Sequence, residues 1–308
     1  MRIGIVGAGA VGGYFGARLL SAGEDVSFLA RGKTLQVLRD RGLRLDSPSG
    51  ALVFPSVRAS NRWQELGSVD LILVAVKAWQ VRSVADQIAP WVGEGVVVLP
   101  LQNGVEACGD LQNALTAGAV LDGFCKVIAR AEAPGHIVQV GETSSVEFGE
   151  VDGTLSPRVQ ALAACFEKAG LSARVSEDIR ADVWGKFLFI GPVSGLGALT
   201  RAPLGVLRET AETRQILTQA MEEVVAVGRA HGVRLPDEAI DRTLAFLDSL
   251  PAESTASMQR DIMSGRPSEL EAQCGAVVRL GAAKGVETPV NQMIYGCLLP
   301  QEKVARAS

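Results

Sequence analysis

The chain has 308 residues, 47% of them hydrophobic, and its 30 basic and 34 acidic residues give a net charge of -4. This length allows two domains with substantial cores, and the near-neutral charge argues against nucleic-acid or membrane-surface partners. The five cysteines and two histidines lack the spacing of a metal site. We therefore predict reduced thiols, no metal site and a small-molecule ligand.

The first predicted elements are a buried strand over residues 2–6 and a helix over residues 11–22, joined by a glycine-rich turn. In the pattern G-x-G-x-x-G, the first glycine permits the tight turn, the second lets the backbone approach a pyrophosphate, and the third lets the helix pack closely on the sheet. The helix N-terminus offers N–H groups and partial positive charge to the phosphates. The pattern predicts a dinucleotide site, and a tight turn without a ligand is the alternative. The residues concerned are Gly7, Ala8, Gly9, Ala10, Val11 and Gly12.

The second predicted strand, residues 25–29, leads into a segment that distinguishes the two common dinucleotides. NAD sites place an acidic residue here for the ribose 2′-hydroxyl, whereas NADP sites place a cation for the 2′-phosphate. Residues 28–33 contain no acidic side chain, and the Arg31 guanidinium can form paired hydrogen bonds with a phosphate. The sequence therefore predicts NADPH as the cofactor. An ordinary solvated arginine is the alternative.

Strands and helices continue to alternate through the first half of the chain, which predicts a doubly wound α/β domain over residues 1–178 with a mostly parallel sheet. Two hairpins are also predicted, one around the polar turn at residues 46–50 and one over residues 127–148. The remaining predicted strands are residues 70–76, 95–101 and 171–175, and the remaining predicted helices are residues 33–41, 80–89, 105–113 and 156–169.

Helical periodicity dominates the second half of the chain, which predicts an all-α domain over residues 179–308. Ser268 and Glu271 have the spacing of a capping box, so we predict that a helix begins at residue 268. The apolar stretch 183–199 is slightly too short to cross a bilayer and is interpreted as a buried helix. The predicted helices are residues 179–199, 209–230, 237–249, 254–264, 268–283 and 290–304.

Polar side chains follow two of the predicted parallel strands. Lys77 comes after the strand at residues 70–76, and Asn103-Gly104 comes after the strand at residues 95–101. Ligands of open α/β sheets bind outside the carboxyl ends of the strands, so both positions are candidate site residues. The alternatives are a solvated lysine for Lys77 and ordinary turn chemistry for Asn103-Gly104.

Lys186 is the only charged residue in the apolar stretch 183–199. Burying an ammonium is costly unless it is paired or lies in a cleft, and burial lowers the pKa of a lysine toward values useful for proton donation. A lysine whose stem only covers apolar surface is the alternative. Further along the chain, Ser257 and Asp261 are four residues apart on one helix face, and Glu269 could pair with a lysine or with the cofactor amide. Ordinary polar residues at helix ends are the alternative for these positions.

Together these segments resemble the ketopantoate reductases, also called 2-dehydropantoate 2-reductases. The resemblance implies a Rossmann-like domain followed by a helical domain, with the active site between them, and NADPH-dependent reduction of ketopantoate to pantoate in pantothenate and coenzyme A synthesis. The motifs that carry it are Gly7–Gly12, Val76-Lys77-Ala78-Trp79-Gln80, Leu101-Gln102-Asn103-Gly104, Trp184-Gly185-Lys186, Ser257-Met258-Gln259-Arg260-Asp261, Glu269 and Thr288-Pro289-Val290-Asn291.

The resemblance also implies roles for individual residues. Lys186 would be the general acid that protonates the ketone oxygen, and Glu269 would position the cofactor and the lysine. Asn103 would lie near the nicotinamide and the substrate, and Lys77 would bind at the ribose. Ser257 would bind the substrate carboxylate. A lysine in this role agrees with its chemistry, because the ketone oxygen gains negative charge as hydride reaches the carbon.

Three positions depart from the family pattern. Ile190, Ser194 and Ser254 stand where asparagines are common, so Ser194 and Ser254 are candidate substrate-binding residues with a shorter reach. Because a pocket that loses polar partners changes which ligand it accepts, the acid reduced could differ. The alternatives are therefore reduction of another 2-oxo acid, oxidation of a 2-hydroxy acid, or a non-catalytic NADPH-binding regulator.

We expect a cytoplasmic location, because the first predicted strand begins at residue 2 and a cleaved leader would remove that strand. We predict no membrane partner. A homodimer is compatible with the sequence.

Overall fold

The computed structural model describes residues 1–116 and 118–307. They form two compact units. The first contains Met1–Gln102 and Ala107–Ile179, and the second contains Asn103–Glu106 together with the chain from Arg180 onward. A four-residue loop inside the α/β half of the sequence thus belongs to the helical unit.

The first unit contains both strands and helices. The strands are β1 (Arg2–Val6), β2 (Asp25–Leu29), β3 (Leu43–Ser47), β4 (Gly50–Phe54), β5 (Arg58–Ser60), β6 (Leu71–Val74), β7 (Val97–Pro100), β8 (Asp122–Ala133), β9 (His136–Gly149) and β10 (Ser172–Val175). The helices are α1 (Ala10–Ser21), α2 (Gly32–Arg41), α3 (Val81–Ile88), α4 (Ala107–Gln112) and α5 (Pro157–Lys168).

A parallel sheet forms the centre of the first unit, with strand order β5-β2-β1-β6-β7. Its inner strands are nearly continuous apolar runs because helices or strands cover both faces. This sheet confirms the predicted doubly wound α/β architecture. The short edge strand β5 was not predicted, since three residues carry almost no periodic signal.

The two predicted hairpins join in a second, mixed sheet. Strands β3 and β4 pair antiparallel, β8 and β9 pair antiparallel, and the hairpins are linked by parallel pairing of β3 with β9, where Leu45 lies opposite Ile137. The second hairpin is longer than predicted and extends from Asp122 to Gly149. The pairing of β3 with β9 joins segments about ninety residues apart, and no local sequence pattern indicates such a pairing. The second sheet was therefore not predicted from the sequence.

Helix α1 packs between the two sheets. An added Cβ on Gly16 would lie 2.3 Å from the Phe28 ring of β2, and one on Gly13 would lie 2.6 Å from Ile137 of β9. Both glycines therefore permit a close approach of helix and sheet. The contact fixes the start of α1 above the end of β1.

The second unit is helical, as predicted. Its helices are α6 (Ile179–Thr200), α7 (Leu204–Glu209), α8 (Ala211–Ala230), α9 (Ala239–Ser249), α10 (Ser257–Met263), α11 (Cys274–Lys284) and α12 (Pro289–Ala307). After Lys186 the sequence of helix α6 contains no charged residue, and the helix packs among α8, α11 and α12 through residues such as Phe187 and Leu188. Its length and composition would suffice to cross a membrane, but 67% of its most apolar window is buried in the protein. Burial of this kind is typical of a core helix.

Two helix boundaries in the second unit differ from the prediction. The helix predicted over residues 209–230 corresponds to α8, which begins at Ala211, and the short preceding helix α7 was not predicted. The helix predicted from residue 268 begins only at Cys274, so the predicted capping box of Ser268 and Glu271 is wrong. The Ser268 hydroxyl donates instead to the carboxylate of Glu302, at 2.5 Å. A buried partner 34 positions away thus overrides a local capping pattern.

Candidate functional site

The glycine-rich turn after β1 has the geometry of an anion cradle. Gly7 has a φ of +97°, and a Cβ on Gly12 would lie 1.9 Å from the Gly7 carbonyl oxygen, so a side chain at position 12 would displace the turn. For Gly9, in contrast, no atom of the described residues beyond its chain neighbours lies within 4 Å of a would-be Cβ, and Gly9 precedes α1. The first N–H groups of α1 and the space over Gly9 therefore suit a phosphate. Ala8, Ala10 and Val11 complete the turn.

Arg31 follows the strand next to this turn. Strands β1 and β2 pair from Arg2 to Val6, and the Gly7 amide donates to the Leu29 carbonyl at 3.0 Å. Arg31 is exposed just before α2, and its guanidinium donates to the Gln87 side chain at 2.7 Å. The positive charge thus stands at the carboxyl end of β2, where the sequence predicts a group for the ribose phosphate.

Lys77 follows the strand on the other side of β1. Strand β6 ends at Val74, and Lys77 precedes a short 3-10 turn. Its ammonium lies 5.9 Å from the centre of the Trp79 ring. The buried Gln102 amide donates to the carbonyls of Val74 and Val76 at 2.8 and 2.9 Å, which holds this strand end in place. This supporting role of Gln102 was not predicted from the sequence.

In the second unit, Lys186 and Asn103 are in direct contact. Lys186 is half-buried on α6, and its ammonium donates to the Asn103 side-chain oxygen at 2.9 Å. Asn103 begins the loop that belongs to this unit. Gly104, the next residue, has a φ of +108°, and its would-be Cβ lies 2.9 Å from the Ala272 carbonyl oxygen. Asn103-Gly104 is thus a turn that requires glycine, and its asparagine also contacts the lysine.

An ion-pair chain fixes the other end of this loop. Arg279 on α11 pairs with Glu106 at 2.7 Å and also with Glu271, which in turn accepts a hydrogen bond from the Tyr295 hydroxyl at 2.7 Å. Burial and the neighbouring Glu271 carboxylate raise the pKa of Tyr295 to about 12, so this hydroxyl keeps its proton. No local sequence pattern predicts this network, because its members come from separate elements.

Glu269 lies on the segment against which Gly104 packs. Residues 268–273 precede α11 without forming a helix, yet Glu269 is buried, with 6% of its surface exposed. Its carbonyl accepts a hydrogen bond from the Gln273 amide at 3.0 Å. The second unit therefore holds the loop of Asn103 and the segment of Glu269 against each other.

The three positions that depart from the family pattern lie in different surroundings. Ile190 and Ser194 follow Lys186 on α6 by one and two turns; Ile190 is half-buried and Ser194 is fully buried. The Ser194 hydroxyl has no hydrogen-bond partner among the described residues. Ser254 is half-buried, and its carbonyl accepts a hydrogen bond from the Leu204 amide at 2.9 Å. Substrate contact by either serine stays a prediction.

The remaining polar candidates lie at helix ends. Ser257 is the half-buried first residue of α10, and Asp261 near the end of that helix pairs with Arg266 at 2.8 Å. His231 follows the last residue of α8, with a ring nitrogen 2.9 Å from the Leu280 carbonyl. We assign no chemistry to His231, because its hydrogen bonds fix the end of a helix.

The potential metal ligands and the cysteines of the described residues are dispersed. The described residues contain no group of three or more histidine, cysteine or acidic side chains able to hold a metal ion. The five cysteines are free thiols, and only Cys297 is exposed. Complete burial raises the pKa of Cys274 to about 12, which disfavours its thiolate.

Comparison with known proteins identifies the family. Residues 3–153 match the family described as ketopantoate reductase PanE/ApbA, and residues 178–302 match its C-terminal counterpart. The chain belongs to the ketopantoate reductase family. It is accordingly an oxidoreductase, similar to the 2-dehydropantoate 2-reductases.

Individual relatives of this ketopantoate reductase family member cover nearly its whole length. A 2-dehydropantoate 2-reductase of Mesorhizobium japonicum is 36% identical over 94% of both chains. The crystal structure of 2-dehydropantoate 2-reductase from Geobacter metallireducens has a TM-score of 0.90 at 31% identity and covers 97% of this chain and 99% of its own. A ternary structure of D-mandelate dehydrogenase with NADH and anilino(oxo)acetate has a TM-score of 0.91 at 23% identity, covering 99% of both chains. This last likeness shows a shared fold.

One motif of the family resemblance has a structural role in this chain. Thr288-Pro289-Val290-Asn291 forms the start of α12, where the Glu223 carboxylate accepts hydrogen bonds from the amides of Val290 and Asn291 at 2.7 and 2.9 Å. The Asn291 side chain is fully buried and donates to the Ala220 carbonyl at 3.1 Å. The motif therefore anchors α12 to α8.

Replacing Gly104 by alanine should test how tightly the Asn103 loop is held. The variant combines an unfavourable φ with a clash against the Ala272 carbonyl, so we expect a loss of about 2 to 3 kcal/mol in the free energy of unfolding. The matched control is Gly232→Ala, where φ is +78° but no atom of the described residues beyond the chain neighbours lies within 4 Å of the added Cβ, with an expected loss of about 1 kcal/mol. Urea unfolding measures both. Equal losses would show that the loop does not press against Ala272.

Proposed function

We propose that this protein reduces ketopantoate to pantoate with NADPH, in the cytoplasm, as a step of pantothenate and coenzyme A synthesis. The family and the names of its relatives support the substrate. The observation that carries the chemistry is the hydrogen bond of 2.9 Å from the Lys186 ammonium to the Asn103 side chain. This hydrogen bond holds the half-buried Lys186 ammonium, the proposed proton donor, against Asn103. The loop that Asn103 begins cannot easily move.

The glycine turn fits the proposed cofactor. Gly9 leaves open the space that a pyrophosphate needs, and Gly12 lets the start of α1 approach the turn. Arg31 would pair with the 2′-phosphate, and Lys77 would bind the ribose on the nicotinamide side. The bound cofactor supplies the hydride that the ketone carbon accepts.

Lys186 acts as the general acid in this proposal. As the ketone oxygen gains negative charge, the ammonium stabilises that charge and transfers a proton to it, leaving a neutral amine that recovers a proton from solvent. An ammonium has three N–H donors, and Asn103 accepts one of them, which restricts how the group can rotate. Ser257, Ser254 and Ser194 are the proposed substrate-binding side chains, and Glu269 positions the lysine and the cofactor.

Reduction of a different 2-oxo acid is the second candidate function, and Ile190 favours it. Ile190 lies one turn after Lys186, is half-buried, and cannot form a side-chain hydrogen bond. A pocket bordered by this side chain would favour an apolar substituent over the hydroxyl of ketopantoate. The chemistry at the ketone would be unchanged.

A substrate panel distinguishes these functions. Purified protein is mixed with NADPH and then with ketopantoate, 2-oxoisovalerate or phenylglyoxylate, and the absorbance of the reduced nicotinamide reports its oxidation. Faster turnover with ketopantoate supports the first function, and faster turnover with an acid that lacks the hydroxyl supports the second. Absence of turnover with every acid would contradict both and favour a non-catalytic NADPH-binding protein.

Lys186→Ala should lower kcat by about 10² to 10⁴-fold, because it removes the proton donor. NADPH binding, followed by fluorescence titration, should persist, since the glycine turn is unaltered. Lys284→Ala is the control, because Lys284 is an exposed lysine at the end of α11 in the same unit. A Lys186→Ala enzyme within a few-fold of normal would remove Lys186 from the proposed role.

Arg31→Ala should weaken NADPH binding by about 10 to 100-fold and leave NADH binding nearly unchanged, because only NADPH carries the 2′-phosphate. Arg41→Ala, at the far end of α2, is the control for loss of one positive charge. Titration of each variant with both dinucleotides measures the ratio. Equal losses for NADPH and NADH would contradict the assignment of Arg31.

A further inference from the structure

The backbone on the N-terminal side of Glu269 is held by a buried carboxylate from α12. Glu302, with 4% of its surface exposed, accepts hydrogen bonds from the Ser268 amide at 3.1 and 3.0 Å, one to each carboxylate oxygen. The Ser268 hydroxyl donates to the same carboxylate at 2.5 Å and accepts from the Leu270 amide at 3.2 Å. The residues on both sides of Glu269 are therefore tied to one group.

Arg306 completes the arrangement one turn further along α12. Its guanidinium lies 2.6 Å from the Glu302 carboxylate and donates to the Ser268 carbonyl at 2.9 Å. The amide, carbonyl and hydroxyl of Ser268 all bind Glu302 or Arg306. We call these three residues, Ser268, Glu302 and Arg306, the Ser268 clamp. Charge-assisted hydrogen bonds of this kind are stronger than neutral ones and fix geometry.

The segment needs such a clamp because it is not regular structure. Residues 268–273 lie outside any helix, and a side chain on an irregular segment is held less rigidly than one inside a helix. Glu269 is nevertheless buried, and its own carbonyl is bound by the Gln273 amide at 3.0 Å. Hydrogen bonds thus hold the backbone of Glu269 on both sides. The position of the Glu269 carboxylate follows from this fixed backbone.

We infer that Glu302 and Arg306 are positioning residues for catalysis, acting through Ser268 to hold the Glu269 carboxylate in its working position. The inference rests on the proposed function, in which Glu269 positions the lysine and the cofactor. Neither residue touches the substrate in this inference. Displacing a catalytic group by about 1 Å can cost about 10²-fold in rate, so a distant clamp can matter for turnover.

A second contact of helix α12 provides a control for the purely structural part of this effect. Near its start, the Glu223 carboxylate accepts hydrogen bonds from the amides of Val290 and Asn291, which resembles the hold of Glu302 on Ser268. Glu223 is adjacent to no candidate site residue in the chain. Comparing Glu302→Gln with Glu223→Gln therefore separates loss of a carboxylate-to-backbone clamp from displacement of Glu269.

The test measures kcat, KM and the melting temperature of the full-length wild type, Glu302→Gln, Arg306→Gln and Glu223→Gln, with NADPH and the best acid of the panel. We expect the two glutamate variants to lower the melting temperature similarly. We expect Glu302→Gln alone to lower kcat strongly, by about 10 to 100-fold, while its NADPH affinity in a direct titration stays within a few-fold of normal. Arg306→Gln, at a partly exposed position, keeps the test valid if Glu302→Gln does not fold, and it should lower kcat by about 3 to 10-fold.

A double-mutant cycle with Glu269→Gln provides the readout that a structural role would not produce. If Glu302 acts through Glu269, adding Glu302→Gln to Glu269→Gln should lower kcat by less than about twofold further. The same change added to Glu223→Gln should keep its full effect. Losses in kcat that multiply in the Glu269→Gln background, or equal losses in Glu302→Gln and Glu223→Gln, would overturn the positioning role while leaving the proposed function intact. A wild type inactive on every acid would overturn both.

Discussion

The hydrogen bond between Lys186 and Asn103 is the interaction on which the proposed chemistry depends. A half-buried ammonium needs a hydrogen-bond acceptor, because an unsatisfied charge away from water is costly. Asn103 provides that acceptor from a loop that interrupts the α/β half of the sequence but belongs to the helical unit. The packing of Gly104 on the Ala272 carbonyl and the ion pair of Glu106 with Arg279 then hold the loop on both sides of the contact. The position of the proton donor is therefore set by residues from several distant parts of the chain.

Much of the fold could be predicted from the sequence because its signals are local. The glycine turn, the apolar parallel strands and the helical second half are each visible within a window of about twenty residues. Lys186 stood out for the same reason, as a single charge in an apolar stretch. What could not be predicted depends on pairing between distant segments: the joining of β3 to β9, the membership of residues 103–106 in the second unit, and the network of Arg279.

The error at Ser268 shows why a local pattern can fail. Serine followed three residues later by glutamate is a good capping signal when both side chains are available to the backbone. Here the Ser268 hydroxyl and amide bind Glu302, and Glu271 pairs with Arg279, so neither side chain caps a helix at residue 268. The helix then begins at Cys274, and the preceding residues form the irregular segment that carries Glu269. The broken pattern coincides with a candidate catalytic residue, as expected where function competes with regular structure.

Helix α12 connects these features, since it is held by Glu223 near its start and holds Ser268 through Glu302 near its end. A carboxylate that binds backbone amides fixes both distance and direction, whereas the hydrophobic effect is non-directional. Because α12 also packs on α8 and α11 through Ile294 and Leu298, its position is determined by the core of the second unit. The packing of the core thus determines the position of Glu269 through α12 and Ser268. An irregular segment can carry an accurately placed carboxylate when the nearest regular element supplies the charged groups that bind its backbone.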